Sequence, residues 1–346
     1  MGDAGTMRAV AVIDVGRLEF VELPMPRVRD YECLVRIAAC GLCNGTDLKH
    51  IDGTLGNIRE RYPVILGHEA VGEVVEVGSK VRSFRVGDLI TDPAPAIEDE
   101  RYHPGCAGFC EYGVVQDVEA MRDLGLGEDA FRPLTWRAAL VREPMAAEDA
   151  VMLCTFKETL SAVRNAGVGP GKDVLIYGDG PNGLSLAAFA RLEGAAWVGV
   201  VGHWDERLAR IERVAGADLV VNSHEQAVAD ALGGRRVDVA IDAVGRVAIV
   251  KEAARLLKPL GRLTVFGVLR NTEPDLSIRA IPNGTSLQML SWPVGAQDVP
   301  GEAVGLVASG AIRASDFYSS VESWEDIEEA VRRVREREAF KIILTL

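Results

Sequence analysis

The sequence predicts an α/β protein of two parts, a doubly wound parallel sheet and a mainly β domain. Three observations carry this. Between Asp173 and Phe266, short apolar runs alternate with segments of helical spacing, the pattern of a parallel sheet with crossover helices. Before about residue 150 the chain is instead made of short β-branched segments broken by Gly and Pro, which suits an antiparallel, barrel-like domain. The length, 346 residues, exceeds what one compact domain usually holds.

In chain order, strands are expected at Arg8–Ile13, Glu32–Ala39, Gly72–Val77, Asp88–Thr91 and Tyr112–Val115. Asp92-Pro93-Ala94-Pro95 through Pro104-Gly105 reads as a proline-marked loop. The character changes near Thr159, where a helix runs to Ala166 and stops at Gly167. Strand Asp173–Tyr177, helix Leu184–Leu192, strand Trp197–Val201 and helix Asp205–Ala215 follow. Then come strand Leu219–Val221, a helix around Glu225–Ala231, strand Val237–Ile241, helix Val247–Leu257 and strand Arg262–Phe266. Beyond about residue 280 only Val304–Ala308, Trp324–Val334 and a closing strand Lys341–Leu346 are readable. That tail is too short for a third domain, so it is expected to return to the first. The expected division is 1–155, 156–281 and 282–346.

Composition excludes several function classes. With 48% hydrophobic and 26% charged residues this is an ordinary globular chain. A formal net charge of -13 argues against nucleic-acid and anionic-membrane partners, which want basic patches. No apolar run approaches a bilayer span, and Met1–Thr6 lacks the apolar core of a signal peptide, so a cytoplasmic location is expected. The six cysteines then read as buried thiols or ligands rather than a disulfide framework.

Gly178-Asp179-Gly180-Pro181-Asn182-Gly183 follows a buried strand and opens a helix, the context a dinucleotide turn needs. Its glycines allow the tight turn, the approach of a pyrophosphate and helix–strand packing. The helix N-terminus offers unpaired N–H groups to the anion. The end of the next strand, Val200-Val201-Gly202-His203, carries no acid for the ribose hydroxyls. Asp205 is nearest, but it reads as the N-cap of the following helix. A 2′-phosphate would not be repelled there, and His203 and Arg207 are close enough in sequence to meet it. NADP is therefore expected over NAD.

A second constellation is polar. His68-Glu69 sits between β-rich runs, with Cys43 upstream. Thiolate, imidazole and carboxylate form a ligand set that zinc accepts, and a catalytic zinc keeps one position open. Glu143, just before the expected second domain, is a further carboxylate that can ligate the metal or stand beside it. A bound zinc acts as a Lewis acid on an alcohol or carbonyl, while a nicotinamide ring carries the hydride. Thr46 and His50 are the candidates to relay the alcohol proton, with Glu69 beside the reacting centre. Cys33 and Cys40 read as small buried hydrophobes. His103-x-x-Cys106-x-x-x-Cys110 has metal-like spacing inside a Pro/Gly loop, and Trp292 is a candidate pocket wall or core tryptophan.

Taken together, the chain resembles the zinc-dependent branch of the medium-chain dehydrogenase/reductase superfamily, nearest the sorbitol, threonine and glucose dehydrogenase group. The resemblance covers nearly the whole chain. It rests on Cys40-Gly41-Leu42-Cys43 with Thr46-Asp47, Gly67-His68-Glu69, Gly87-Asp88, Glu143-Pro144 and the Gly178–Gly183 turn. Ile241-Asp242-Ala243-Val244-Gly245, a turn at Lys258-Pro259-Leu260-Gly261 and Phe340-Lys341 extend it. It implies a GroES-like catalytic domain split around a Rossmann domain, with the active site in the cleft. It implies zinc on Cys43 and His68, with Glu69 and Glu143 as ligands or near-ligands. Cofactor contacts are implied near Ala243, Val244, Phe266, Gly267 and Lys341. The substrate would be a secondary alcohol or ketone of the polyol, sugar or amino-sugar kind, and the protein a homodimer or homotetramer. In that family the relay Ser or Thr stands two residues after the ligand Cys, whereas Asn44-Gly45 moves Thr46 to the third position. A four-cysteine structural zinc lobe is common there. Only Cys106 and Cys110 stand in the matching loop, so one zinc is expected. The alternatives are a zinc-free quinone or enoyl reductase of the same superfamily and a non-catalytic dinucleotide-binding protein.

Overall fold

The computed structural model describes residues 5–56, 61–132, 134–290 and 294–346. In chain order the elements begin β1 (Thr6–Asp14), β2 (Arg17–Pro24), β3 (Glu32–Gly41), α1 (Asp47–Ile51), β4 (Val64–Ile65), β5 (Glu69–Val77) and β6 (Leu89–Thr91). They continue with β7 (Tyr112–Gln116), α2 (Val118–Asp123), β8 (Ala139–Val141), α3 (Ala147–Asn165), β9 (Asp173–Tyr177), α4 (Pro181–Leu192), β10 (Trp197–Gly202) and α5 (Asp205–Ala215). Then follow β11 (Leu219–Asn222), α6 (Val228–Ala231), β12 (Val237–Asp242), α7 (Val247–Arg255), β13 (Leu257–Val265) and β14 (Ser286–Met289). The chain closes with α8 (Pro300–Ala308), β15 (Ser320–Ser323), α9 (Ile327–Arg335) and β16 (Ile342–Thr345). Two compact units result: Met1–Cys154 with Pro300–Leu346, and Thr155–Val299.

The first unit is mainly β. A seven-stranded sheet runs β15-β16-β3-β5-β6-β8 with β7 also on β3, and β1 is flanked by β2 and β4 in a second, three-stranded sheet. β3 is buried on both faces, so its residues Glu32–Gly41 read as a near-continuous run rather than an alternating one. Its core joins Val35, Ile37, Val74 and Ile90 to α9. That helix buries Ile327, Ala330, Val331 and Val334, the i, i+3, i+4, i+7 stripe of an amphipathic helix.

The second unit is a six-stranded sheet in the order β11-β10-β9-β12-β13-β14. All of its pairings are parallel. Val174–Tyr177 and Val239–Ile241 are buried without alternation, as strands covered on both faces must be.

Several boundaries differ from expectation. α3 starts at Ala147 rather than Thr159. Ala150–Phe156 are all buried, so no polar face interrupts the run to reveal a helical period. α4 starts at Pro181, three residues before the expected Leu184, because proline fits the first helical position. Lys258–Gly261 is not a free turn: it is a bulged register shift inside β13, where Val237 pairs with Leu257 and Val239 with Arg262. The return to the first unit comes at Pro300 rather than at residue 282, because β14 adds to β13 as the sixth strand. The closing strand β16 starts at Ile342, one residue after the expected Lys341. Trp292 lies outside the described residues.

Candidate active site

The first unit brings together a buried group of candidate metal ligands from two segments. β3 and β5 are antiparallel with Gly41 opposite Glu69, which sets the chain leaving β3 beside the start of β5. Gly67, at φ 94°, takes a left-handed conformation that few other residues tolerate, and a side chain there would strike Phe109. It redirects the chain so that His68 and Glu69 follow. One ligand atom each from Cys43, His68 and Glu69 lies within 4.8 Å of the others, and all three residues are buried.

Asp47 organises this group from α1. Its Oδ1 lies 3.3 Å from His68 Nδ1, and its Oδ2 accepts the Cys43 backbone N–H at 2.8 Å. The other ring nitrogen, Nε2, then faces Glu69 Oε1 at 3.8 Å. A carboxylate on the remote nitrogen fixes ring orientation and tautomer in metal sites. Asp47→Ala is accordingly expected to weaken zinc binding by roughly 10- to 100-fold. Competition with a chromophoric chelator would read this, and an unchanged affinity would remove Asp47 from the site.

The electrostatics suit a cation. Burial alone would discharge His68, but the charges of Asp47 and Cys43 outweigh it and hold its pKa well above the imidazole range. Burial also acts against the Lys341 ammonium, yet Glu69 and Cys43 raise its pKa overall. Lys341 Nζ donates to Glu69 Oε2, both residues being buried. Gly41 makes room for that pair: a Cβ there would lie 2.5 Å from Glu69 Oε2 and 3.1 Å from Lys341 Cε. A buried thiol, imidazole and carboxylate whose surroundings favour positive charge fit zinc by donor chemistry.

The expected relay residues lie at the start of α1 and within it. Thr46 occupies the position before α1, and its N–H points at the Cys43 sulfur at 3.4 Å. His50 is one turn on, its N–H bonded to the Thr46 carbonyl at 2.9 Å. The extra residue after Cys43 is thus absorbed in the turn before α1. Among the described residues, His50 Nδ1 is buried without a hydrogen-bond partner. Burial also pushes the pKa of His50 below the imidazole range.

Other expected ligands are placed elsewhere. Glu143 is exposed on the segment after β8 and is not part of the buried group, because α3 begins soon after it and carries the chain inward only from Ala150. Cys110 packs in an apolar cluster with Met7, Ala9 and Ile65, and burial raises its thiol pKa far above the usual range. Cys106 lies 3.8 Å from the Arg137 guanidinium. Cys154, one of the six cysteines expected as buried thiols or ligands, is buried on α3 with Arg137 Nη2 3.3 Å from its sulfur. Its charge, like that of Cys43, raises the pKa of Lys341. Nothing in its local sequence singled it out, since it stands in the apolar run Val151-Met152-Leu153.

The second unit builds the dinucleotide turn. Gly183 packs so closely that an added Cβ would lie 1.8 Å from the Gly178 carbonyl oxygen, whereas Gly180 faces open space. Gly180 is the N-cap of α4 and makes no side-chain cap, so the first-turn N–H groups, with Pro181 and Asn182 leading into them, are left for an anion. Gly178 also abuts Ala243, and Gly267 abuts Val244 and Gly245. Phe266 and Gly267 both donate backbone N–H groups to the Asp242 carbonyl, at 2.9 and 2.8 Å. The carboxyl ends of β9, β12 and β13 therefore meet, the place where open parallel sheets bind ligands.

At the end of β10, Asp205 is not the N-cap expected. The residue before α5 is Trp204, and Asp205 is the first helical residue, its carboxylate accepting from Asn222 Nδ2 at 2.8 Å. A carboxylate does stand at the strand end, but it comes from Asp179 in the turn. Its Oδ2 accepts the backbone N–H groups of His203 and Trp204 at 2.7 and 3.0 Å. The His203 ring stacks on His224 at 4.1 Å, and Arg207 is only 7% exposed.

Comparison with known proteins agrees with these two halves. The alcohol dehydrogenase GroES-like domain family matches residues 29–127, and the zinc-binding dehydrogenase family matches residues 181–309. An alcohol dehydrogenase of Cupriavidus necator is 30% identical over 79% of this chain and 78% of its own length. The sorbitol dehydrogenase of Bacillus subtilis (strain 168) is 26% identical over 94% of this chain and 93% of its own. Among solved structures, a chain assigned as a zinc-binding dehydrogenase of Sinorhizobium meliloti 1021, bound to NADP, is 25% identical with a TM-score of 0.78, covering 99% of this chain and 100% of that one. Family matches to both halves, a relative 30% identical over 79% of this chain and the same fold leave one assignment: the chain belongs to the zinc-dependent medium-chain alcohol dehydrogenase superfamily.

Proposed function

We propose that this protein reversibly oxidises a secondary alcohol of the polyol or sugar kind to its ketone, using one zinc ion and a nicotinamide dinucleotide. The observation that carries the reading is the convergence of Cys43, His68 and Glu69 in one buried group. Cys43 and His68 hold the metal, Asp47 fixes the imidazole, and Glu69 stands as the neighbouring carboxylate. A bound zinc would polarise the substrate oxygen as a Lewis acid, and a bound nicotinamide would carry the hydride. Thr46, just before α1, and His50, one turn on within it, pass the hydroxyl proton outward, and the unpartnered Nδ1 of His50 is the acceptor such a path needs. The polyol class is supported by the sorbitol dehydrogenase relative. A single zinc is supported by the surroundings of Cys106 and Cys110, which are a guanidinium and an apolar cluster.

The expectation of NADP rests on a strand end without a carboxylate, whereas the Asp179 carboxylate on the His203 and Trp204 N–H groups supports NAD. A homodimer is supported by β14, the open edge of the six-stranded sheet, on which Leu287 and Met289 are 40% and 54% exposed. Changing both to Lys should shift the protein toward monomer in sedimentation velocity, and a wild type already monomeric at micromolar concentration would refute the dimer. A cytoplasmic location remains the expectation from the sequence. Among the described residues, no helix is long and apolar enough to cross a membrane.

The deciding experiment pairs metal analysis with nicotinamide reduction on a panel of polyols and simple secondary alcohols. Stoichiometric zinc and chelator-sensitive turnover are expected. Full turnover after metal removal would overturn the reading in favour of the zinc-free reductase.

A further inference from the structure

We propose that Asp179 makes this protein select NAD over NADP, by delivering from the glycine-rich turn the carboxylate that the end of β10 lacks. The inference rests on the nicotinamide-dinucleotide reading above. In this kind of sheet the acid that accepts from the adenosine ribose hydroxyls stands at the end of the second strand, about twenty residues beyond the turn. Here that strand ends Val201-Gly202-His203, with no acid. β9 and β10 pair in parallel with Tyr177 opposite Val201, so the turn leaving β9 lies beside the strand end. The Asp179 side chain crosses to it, and its Oδ2 takes both backbone donors there, His203 N–H at 2.7 Å and Trp204 N–H at 3.0 Å.

Gly202 is what allows the crossing. A Cβ at that position would lie 2.5 Å from Asp179 Cβ and 2.7 Å from Oδ2. The turn residue and the strand-end glycine therefore work as a pair, each explaining the other's identity. Two bonds to one oxygen fix the carboxylate. Among the described residues, Oδ1 accepts no hydrogen bond, which leaves it as the acceptor for a ribose hydroxyl.

The same arrangement opposes a 2′-phosphate in two ways. The two N–H groups that would have bound its oxygens are already satisfied. A fixed negative charge also stands where the dianion would sit, and like charges about 4 Å apart near a protein surface discriminate on the order of 100-fold or more. The cationic candidates do not offset this. Arg207 is only 7% exposed, and the His203 ring is stacked on His224 with its Nδ1 3.0 Å from Ser223 Oγ.

The test is equilibrium binding of NADH and NADPH to the full chain, by fluorescence titration or calorimetry, with no substrate present. Wild type is expected to bind NADH on the order of 100-fold more tightly. Its NADPH affinity should rise with ionic strength as the repulsion is screened. Asp179→Asn keeps an oxygen for the two N–H groups and removes the charge, so the preference should shrink at least about tenfold. A wild type that binds NADPH as well as or better than NADH overturns the inference, as does an unchanged ratio in a folded Asp179→Asn protein. Failure to bind either nucleotide overturns the cofactor reading itself, and this inference with it.

Discussion

Cys43→Ala yields a folded protein that does not retain zinc at its active site and loses alcohol oxidation by on the order of 10³-fold or more, since metal polarisation supplies several kcal/mol and each 1.36 kcal/mol is tenfold. The substitution removes one sulfur from a small, mostly buried side chain, so the fold itself should suffer little. What it removes from the site is the only ligand with a soft donor in the Cys43, His68, Glu69 group. Metal content by mass spectrometry and kcat/KM on the best polyol check this together. Retention of a full equivalent of zinc with near-normal activity would move the catalytic metal away from Cys43, and Cys154 would be the sulfur to examine next.

Lys341→Ala should be the most destabilising single change near the site in the metal-free protein, by about 3–5 kcal/mol, the usual effect of leaving one partner of a buried ion pair alone. Glu69 is 4% exposed and Lys341 2%, so no water replaces the ammonium. The carboxylate would then lie beside the Cys43 sulfur with no cation on its Oε2. Zinc should restore a large part of the loss, because a cation that binds the folded state alone stabilises it by mass action. Urea unfolding with chelator and with zinc measures both effects. Equal stability of variant and wild type in chelator would mean that Glu69 does not depend on this pair. The position was expected to contact cofactor. In the structure the ammonium engages Glu69, from the residue before β16, the strand that pairs with β3.

Much of this was legible in the residues. Short apolar runs between segments of helical spacing mark the buried strands, so Asp173–Tyr177 is legible to the residue. The glycine turn was legible because each glycine answers a steric demand, as Gly183 against the Gly178 carbonyl shows. The first half of α3 was not legible, because a helix buried on all sides carries no periodic signal. Nor was β14, an edge strand with the residues Ser286-Leu287-Gln288-Met289, whose membership of the sheet depends on a neighbour more than twenty residues earlier.

By itself, then, the sequence determined the two-part α/β architecture, the acidic character, the glycine turn, and Cys43, His68 and Glu69 as a candidate ligand set. These depend on residue chemistry and on local spacing, both written along the chain. Tertiary structure alone decided which charges face one another. It tied Asp47 to His68, paired Lys341 with Glu69, left Glu143 outside the ligand group, and carried the Asp179 carboxylate across to the end of β10. Each of these follows from which segments the fold places side by side. An electrostatic environment is a sum over spatial neighbours, and for such groups sequence distance says almost nothing about it.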